Sequence, residues 1–287
     1  MASDEIVRRT LVVVAGFLLF VSPGATGLVA GSAAIGQAES QESAEPPAAA
    51  ASSTPRPDTD EIIRRFAAKE KEFKIARDNY TYRQIVKVDE LNDDGNVVGT
   101  YQLNADIIFT PQGRRTEKVV FAPISTLRGF GMTPEDERDL RSIQPFVLTT
   151  DELPKYNIQY QGRQKVDELD TYVFKVAPKR LEKGERYFEG MVWVDQEDYQ
   201  IVKTYGKAVP DIRQGKQENL FPRFETYRER IDGKYWFPTW TGAEDTLYFS
   251  SGPKKIRMLV RYENYKQFKS ETKITFGDEV DTPPQIQ

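Results

Sequence analysis

The sequence predicts a mainly β fold with a few helices, in which a curved antiparallel sheet of about ten or eleven strands forms a half-open β-barrel. The first observation is that apolar and polar residues alternate with a period of two in successive segments between residues 80 and 268. The second is that turn-forming residues separate these segments at short intervals, as in antiparallel sheets. Helical spacing is confined to the start of this region and to one insertion, so a sheet this large must curl or close.

An amphipathic helix is predicted over residues 60–75, ahead of the sheet. Strands follow at 80–88, 97–110 and 116–121, and the turns between them are rich in Asn, Asp, Gly and Pro. The sequence therefore predicts a β-meander that is entered through a helix. The apolar residues of the helix recur at spacings of three, four and seven, namely Ile62, Ile63, Phe66, Ala67, Phe73 and Ile75.

The alternation breaks between residues 122 and 154, where apolar side chains lie among glycines, prolines and an acidic run. Thr133 and Pro134, followed by acidic residues, are typical of a helix start. Two interpretations remain open: a helix that plugs one end of the sheet, and a movable lid over a cavity. In the second, Gly129 and Gly131 act as hinges with unusual backbone angles.

Strand-like alternation resumes after the insertion and continues to residue 268. Short turns separate the strands, and the clearest are residues 195–198, 232–233 and 251–253. The predicted strands are 156–161, 171–177, 187–194, 199–208, 221–231, 235–242, 243–249 and 255–268.

The N-terminus has the pattern of an export signal. A basic region with Arg8 and Arg9 precedes an apolar stretch over residues 11–21, which is too short to span a bilayer comfortably. An uncleaved membrane anchor is the alternative. Export to the periplasm of a Gram-negative-type bacterium is expected. The predicted divisions of the chain are a signal peptide at 1–38, a disordered Ala/Pro/Ser/Glu-rich linker at 39–59, one domain at 60–280 and a disordered tail at 281–287.

Cysteine and histidine are missing from the chain altogether. Without cysteine, neither a disulfide framework nor a lipid-attachment site can form; without histidine, the commonest general base and zinc ligand are lost. The 40 basic and 44 acidic residues give a net charge of -4, which does not predict the basic face of a nucleic-acid-binding protein. We therefore expect a protein that is not an enzyme and has no cofactor, no metal site and no nucleic-acid partner.

Carboxylates nevertheless cluster at several turns, and paired carboxylates are what a glycoside hydrolase uses. A hydrolase would require two of these side chains to converge in one cleft. Acidic residues at turns usually accept hydrogen bonds from backbone N–H groups, so turn formation is the favoured interpretation. The candidates are Asp195, Glu197, Asp198, Glu244 and Asp245.

The order of the elements and one hairpin motif resemble the LolA-like superfamily of periplasmic carriers. The hairpin reads Tyr-Phe-Glu-Gly-Met-Val-Trp-Val-Asp over residues 187–195 and continues as Tyr-Gln-Ile-Val-Lys over residues 199–203. It is similar to a hairpin of outer-membrane lipoprotein-sorting proteins and of related sigma-factor regulatory proteins, and the resemblance covers about residues 60–268. It implies a concave apolar face that holds acyl chains under a helical lid latched by an arginine. The candidate latch residues are Arg83, Arg114, Arg115 and Arg128.

Three hypotheses on function follow. The first is a carrier, similar to lipoprotein-sorting proteins, that shelters the acyl chains of a lipid or lipoprotein and has envelope proteins of the inner or outer membrane as partners. The second is an envelope sensor or protein-interaction module on the same fold, to which the linker gives reach, and the third is the carboxylate-based hydrolase. The predicted cavity residues are Tyr101, Leu103, Ile107, Phe109, Val120, Val173, Val192 and Trp193, and the predicted lid residues are Leu127, Phe130, Met132 and Phe146.

Overall fold

The computed structural model of the protein describes residues 58–110, 114–142, 146–214 and 217–268. The predicted signal peptide, most of the linker and the C-terminal tail lie outside these residues. Neither α-helix within them has the length and apolar character needed to cross a membrane. The elements are α1 (Thr59–Arg77), β1 (Tyr80–Leu91), β2 (Val97–Phe109), β3 (Arg115–Phe121), α2 (Pro134–Ser142), a 3-10 turn (Leu153–Lys155), β4 (Tyr156–Val166), β5 (Leu169–Pro178), β6 (Tyr187–Asp195), β7 (Ile201–Val209), β8 (Ile212–Gln214), β9 (Gln217–Asn219), β10 (Phe224–Ile231), β11 (Tyr235–Phe249) and β12 (Gly252–Gln267).

Ten strands form one antiparallel sheet in the order β3-β2-β1-β12-β11-β10-β7-β6-β5-β4, which confirms the predicted mainly β fold. The sheet is curved and stays open, because β3 and β4 are its two edges. Residues 122–155 connect these edges, so the predicted insertion runs from one free edge of the sheet to the other.

Two details differ from the prediction. The segments 235–242 and 243–249 form one continuous strand, β11. The predicted boundary falls at Gly242, which instead makes room for the indole of Trp240, since a Cβ at this position would overlap the ring. The second difference is the small hairpin of β8 and β9, which pair only with each other within the described residues.

Helix α1 begins where the sequence predicts it, for a local physical reason. The side chain of Asp58 accepts a hydrogen bond from the backbone N–H of Glu61 at 3.1 Å and so caps the first turn. Ile62, Phe66 and Ala67 are buried on the face that the apolar spacing predicted.

The concave face of the sheet packs around this helix. Val86 and Val88 of β1 lie directly opposite Leu103 and Tyr101 of β2, so these four side chains share one face. The rings of Phe66 on α1 and Phe174 on β5 have centroids 5.4 Å apart. One buried cluster thus joins α1 to strands from both halves of the sheet, which positions the insertion against the remaining open part of the concave face.

Candidate functional site

The insertion covers an apolar cleft on the concave face. We call residues 127–148 the lid segment; residues 143–145 of it lie outside the described part of the chain. The floor of the cleft consists of side chains from β1, β11 and β12, and one wall comes from the loop after β9. The apolar lining residues are Val88, Phe130, Met132, Leu140, Leu220, Phe221, Leu247, Phe249, Ile256 and Met258.

The lid segment fills this cleft almost completely. The ring of Phe130 stacks on that of Phe249 from β11, with centroids 5.7 Å apart. The volume that remains is about 30 Å³, roughly the share of one water molecule in the liquid. Sites for small molecules typically enclose about 300–1,000 Å³. The cleft as it stands in the structure has no room for an acyl chain.

Three of the four predicted lid residues lie over or beside the concave face. Phe130 and Met132 line the cleft. Phe146 is buried deeper and stacks on Phe188 of β6, with centroids 4.4 Å apart. Leu127 is half-buried, and its backbone packs against β2, where a Cβ on Gly99 would lie 2.8 Å from the Leu127 Cα. Phe130 and Met132 are thus the residues whose movement would open the cleft.

Four of the predicted cavity residues face the concave side. Tyr101 and Leu103 pack against the central cluster, and Val192 is fully buried within it. Ile107 lies opposite Tyr82, which also packs on this cluster. None of the four lines the closed cleft, so a bound chain would reach them only by extending beyond it.

The structure does not bring Val173 and Trp193 to the concave face. Successive side chains of a strand point to opposite faces, and these two form a separate cluster with Val202 on the convex face. The indole nitrogen of Trp193 donates to the side-chain oxygen of Gln164 at 2.8 Å. The prediction grouped Trp193 with Val192, although neighbouring residues of one strand cannot share a face.

The two remaining predicted cavity residues lie at the margins of the sheet. Phe109, the last residue of β2, stacks on Phe268, with centroids 4.7 Å apart. Val120 is on the edge strand β3 and is 49% exposed. Neither one belongs to the closed cleft.

A buried carboxylate holds the first part of the lid segment. The Glu90 side chain accepts hydrogen bonds from the backbone N–H groups of Arg128 at 2.8 Å and Gly129 at 3.0 Å. Gly129 and Gly131 do not adopt the positive φ angles that the hinge interpretation expected. Gly129 instead lies close to the ends of the Glu90 and Lys254 side chains, which a Cβ at this position would displace. This end of the lid segment is therefore pinned by close packing and hydrogen bonds.

Arg186 and Asn219 hold helix α2 by binding two of its own carboxylates, Asp139 and Asp136. The guanidinium of Arg186 bonds both oxygens of Asp139, at 2.6 and 3.3 Å, and also donates to the backbone carbonyl of Pro210. Asp136 accepts hydrogen bonds from the backbone N–H and hydroxyl of Thr133, both at 2.8 Å, and from the amide of Asn219 at 2.6 Å. Burial raises the pKa of Asp136 to about 6 and also raises that of Asp139.

A buried ion pair holds the last part of the lid segment. Arg228 of β10 bonds the Glu70 carboxylate of α1 at 3.0 and 3.2 Å, and its other terminal nitrogen donates to the backbone carbonyl of Phe146. The Glu70 carboxylate also accepts a hydrogen bond from the backbone N–H of Ile201 at 3.3 Å. Arg228 thus connects α1, the sheet and the end of the lid segment.

The arginines that contact the lid segment through their side chains are not those that the sequence suggested. Arg83 pairs with Asp106 across β1 and β2 at 2.7 Å, whereas Arg114 and Arg128 are exposed. The side chain of Arg115 lies outside the described part of the structure. Instead, Arg186 bonds Asp139 and Arg228 bonds the backbone carbonyl of Phe146.

The candidate acidic residues of a hydrolase serve local structural purposes. Asp195 accepts hydrogen bonds from the backbone N–H groups of Glu197 and Asp198, at 3.1 and 3.0 Å, and so closes the turn between β6 and β7. Glu244 pairs with Arg257, and Asp245 accepts from the backbone N–H of Arg223. The turn acids and the β11 acids line different surface depressions. In the described residues, no group of three or more acidic side chains is placed to hold a metal ion.

No family model matches the sequence, and no curated protein matches it significantly. Among solved structures, the chain is similar to a DUF1329 family protein from Desulfovibrio piger, with 13% identity and a TM-score of 0.36 over 75% of this chain and 94% of that one. It is similar to a LolA superfamily protein from Nitrosomonas europaea, with 15% identity and a TM-score of 0.35 over 72% and 92%. It is also similar to MucB, with 12% identity and a TM-score of 0.25 over 72% and 92%. The superfamily named for the second structure is the one that the sequence resembles.

Proposed function

We propose that the protein is an exported carrier that shelters an acyl chain of a lipid or lipoprotein between the lid segment and the concave face of the sheet. The observation that carries the proposal is an apolar cleft whose roof, with Phe130 and Met132, lies on a segment joining the two free edges of the sheet. The N-terminal pattern over residues 1–38 supports export, and the hairpin over residues 187–203 supports a carrier fold.

Binding replaces one set of apolar contacts with another. In the closed state Phe130 packs on the cluster that contains Leu247 and Ile256, and Met132 lines the same cleft; when the lid segment lifts, an acyl chain takes their place. Each buried methylene contributes about 0.8 kcal/mol, so the chain itself supplies the affinity and no catalytic group is needed. The polar contacts at Glu90, Asp139 and Phe146 allow the segment to return to one position after release.

A binding assay with matched variants tests the proposal. Protein isolated from its own envelope is examined by native mass spectrometry, and the delipidated protein is titrated with a fluorescent fatty acid. Leu247→Gln places a polar group in the cleft floor and should weaken uptake at least tenfold, whereas Tyr248→Gln, at the next and exposed position, should not. A lipid-free native mass together with no fatty-acid uptake would remove the basis of the proposal.

A protein-interaction module is the second candidate, and one surface favours it. Large apolar side chains are exposed along the edge formed by β3 and the start of β2: Val97, Val98, Val119, Val120, Phe121 and Ile124. Exposed apolar patches mark partner surfaces, and an edge strand offers unpaired backbone groups. A photo-crosslinking residue at Ile124 decides between the two. One stable envelope protein captured with or without lipid would favour the module; transient, lipid-dependent capture would favour the carrier.

A further inference from the structure

Helix α2 of the lid segment directs two carboxylates into the protein interior, and only one of them is paired with an arginine. Asp136 and Asp139 are 8% and 2% exposed. Arg186 neutralises Asp139 through two hydrogen bonds. Asp136 forms no ion pair within the described part of the chain; its partners are the neutral groups of Thr133 and Asn219. When both acids are ionised, the closed lid segment therefore buries one uncompensated negative charge, which is costly.

The surroundings of Asp136 do not relieve this charge. From α2 it is faced by Asp139, and from the loop before β6 by Arg186, which is bound to Asp139. The β8–β9 hairpin contributes Asn219 and also Glu218, which pairs with Arg213. The side chains that reach the site from β1 and β12, Val88, Ile256 and Met258, are apolar. Burial is the largest cause of the raised pKa of Asp136, and the Asp139 charge adds to it, whereas Thr133 and Arg186 oppose it.

The contact between Asp136 and Asn219 is suited to a proton. In the structure the side-chain amide nitrogen of Asn219 donates to Asp136 at 2.6 Å. The side-chain oxygen of Asn219 has no hydrogen-bond partner within the described structure. If the amide turns over, this oxygen accepts a hydrogen bond from the protonated carboxyl of Asp136. Asp136 and Asn219 can thus hold the lid segment whether or not Asp136 is protonated. Only the protonated form avoids burying the unpaired negative charge of Asp136.

We propose that Asp136 makes closure of the lid segment proton-dependent: the closed state is favoured when Asp136 is protonated and loosened when it ionises. This inference rests on the proposed function in taking residues 127–148 as a lid. The direction follows from linkage. An exposed Asp136 in the open state has a pKa near 3.8, and in the closed state the pKa is about 6. Between these values the closed state binds a proton that the open state does not, so closure weakens as pH rises from 4 to 6 and stays weaker above it. A shift of about two pKa units corresponds to a change of up to ~100-fold in the open-to-closed ratio.

Methionine methyl groups allow a direct test. The chain has four methionines, of which Met132 and Met258 line the cleft and Met191 packs against the convex cluster. Methyl-labelled methionine is followed by NMR from pH 4 to pH 7.5 in the full chain without lipid. We expect the Met132 and Met258 signals to move through one transition between pH 4 and pH 6, with the open population increasing toward neutral pH. The Met191 signal should not move and serves as the internal control for global unfolding.

Two variants test whether ionisation of Asp136 causes this transition. Asp136→Asn mimics the protonated acid and should hold the lid segment closed at every pH, so that the transition disappears. Glu135→Gln changes an exposed carboxylate of the same helix, which pairs with Arg138, and should leave the transition in place. The proposal is overturned if the wild-type Met132 signal is constant from pH 4 to pH 7.5, or if its transition persists in Asp136→Asn. If the transition is found but no fatty acid binds, the proton-dependent closure is supported and the carrier function is refuted. Failure of one proposal can therefore be told from failure of the other.

Discussion

Truncation of Phe130 to alanine separates a lid from an ordinary part of the core. A fully buried Phe→Ala change costs about 3–5 kcal/mol, and Phe130 is only half-buried, with one stacking partner in Phe249. We therefore expect a cost of about half, ~1.5–2.5 kcal/mol. Because Phe130 leaves its contacts whenever the lid segment lifts, the free energy of lid opening falls by the same amount. Amide hydrogens of residues 133–142 should then exchange roughly tenfold or more faster.

A matched control is required because the same change also lowers the free energy of global unfolding. Val173→Ala removes about two methylene equivalents from the convex cluster, at a comparable cost of ~2 kcal/mol. It should speed exchange in the central strands but leave residues 133–142 at the wild-type rate, since Val173 stays buried when the lid segment opens. If both variants speed exchange of these amides equally, or if neither does, the segment opens only with the whole domain and the reasoning is refuted.

Three further predictions follow from the contacts of the lid segment. Gly129→Ala should displace its first part by overlap with Glu90 and speed amide exchange there, whereas Gly131→Ala, where a Cβ meets nothing within 4 Å, should not. Glu70→Gln or Arg228→Met alone should lower the free energy of unfolding in urea by about 3–5 kcal/mol. Glu70→Leu combined with Arg228→Met should cost less than the sum of the two single changes, because no unpaired charge remains buried and only the Ile201 N–H and the Phe146 carbonyl lose a partner. In competition assays, the dissociation constant of fatty acids should fall about fourfold per added methylene until the chain outgrows the cleft, as about 0.8 kcal/mol per methylene requires; a constant value would show that the chain stays in water.

Local patterns in the sequence were sufficient to predict most of the fold. The period-2 segments correspond to the strands of the large sheet because most of these strands bury one face in the cluster around α1. The edge strand β3 is an exception, since its apolar side chains are exposed. The error at Gly242 arose because a glycine that accommodates an indole has the same sequence signal as a turn. The short β8–β9 hairpin has strands of three residues each, too short for alternation to be recognised.

The contacts that hold the lid segment were harder to predict, since they join residues far apart in sequence. Glu70 is 158 residues from Arg228. Each nevertheless left a local signal: Glu70 lies at helical spacing between Phe66 and Phe73, and Arg228 lies two residues after the buried Thr226 on the inward face of β10. Because Glu70 and Arg228 carry opposite charges and both lie on inward faces, the two signals together predict a buried ion pair. Arg186 left no such signal, because it belongs to a loop and its inward direction is set by the fold alone.

The most direct test of the carrier function locates the acyl chain within the protein. All three tryptophans belong to the convex side: Trp193 and Trp236 pack in one cluster there, and Trp240 lies in the same cross-strand row as Trp193. Phe130→Trp adds a fourth indole inside the cleft. A fatty acid brominated along its chain, which quenches tryptophan on contact, is then titrated into both proteins. If the acyl chain binds in the cleft, we expect strong quenching of the emission added by Phe130→Trp and little quenching of the wild-type emission. Equal fractional quenching in both proteins, or none in the variant, would contradict binding in the cleft.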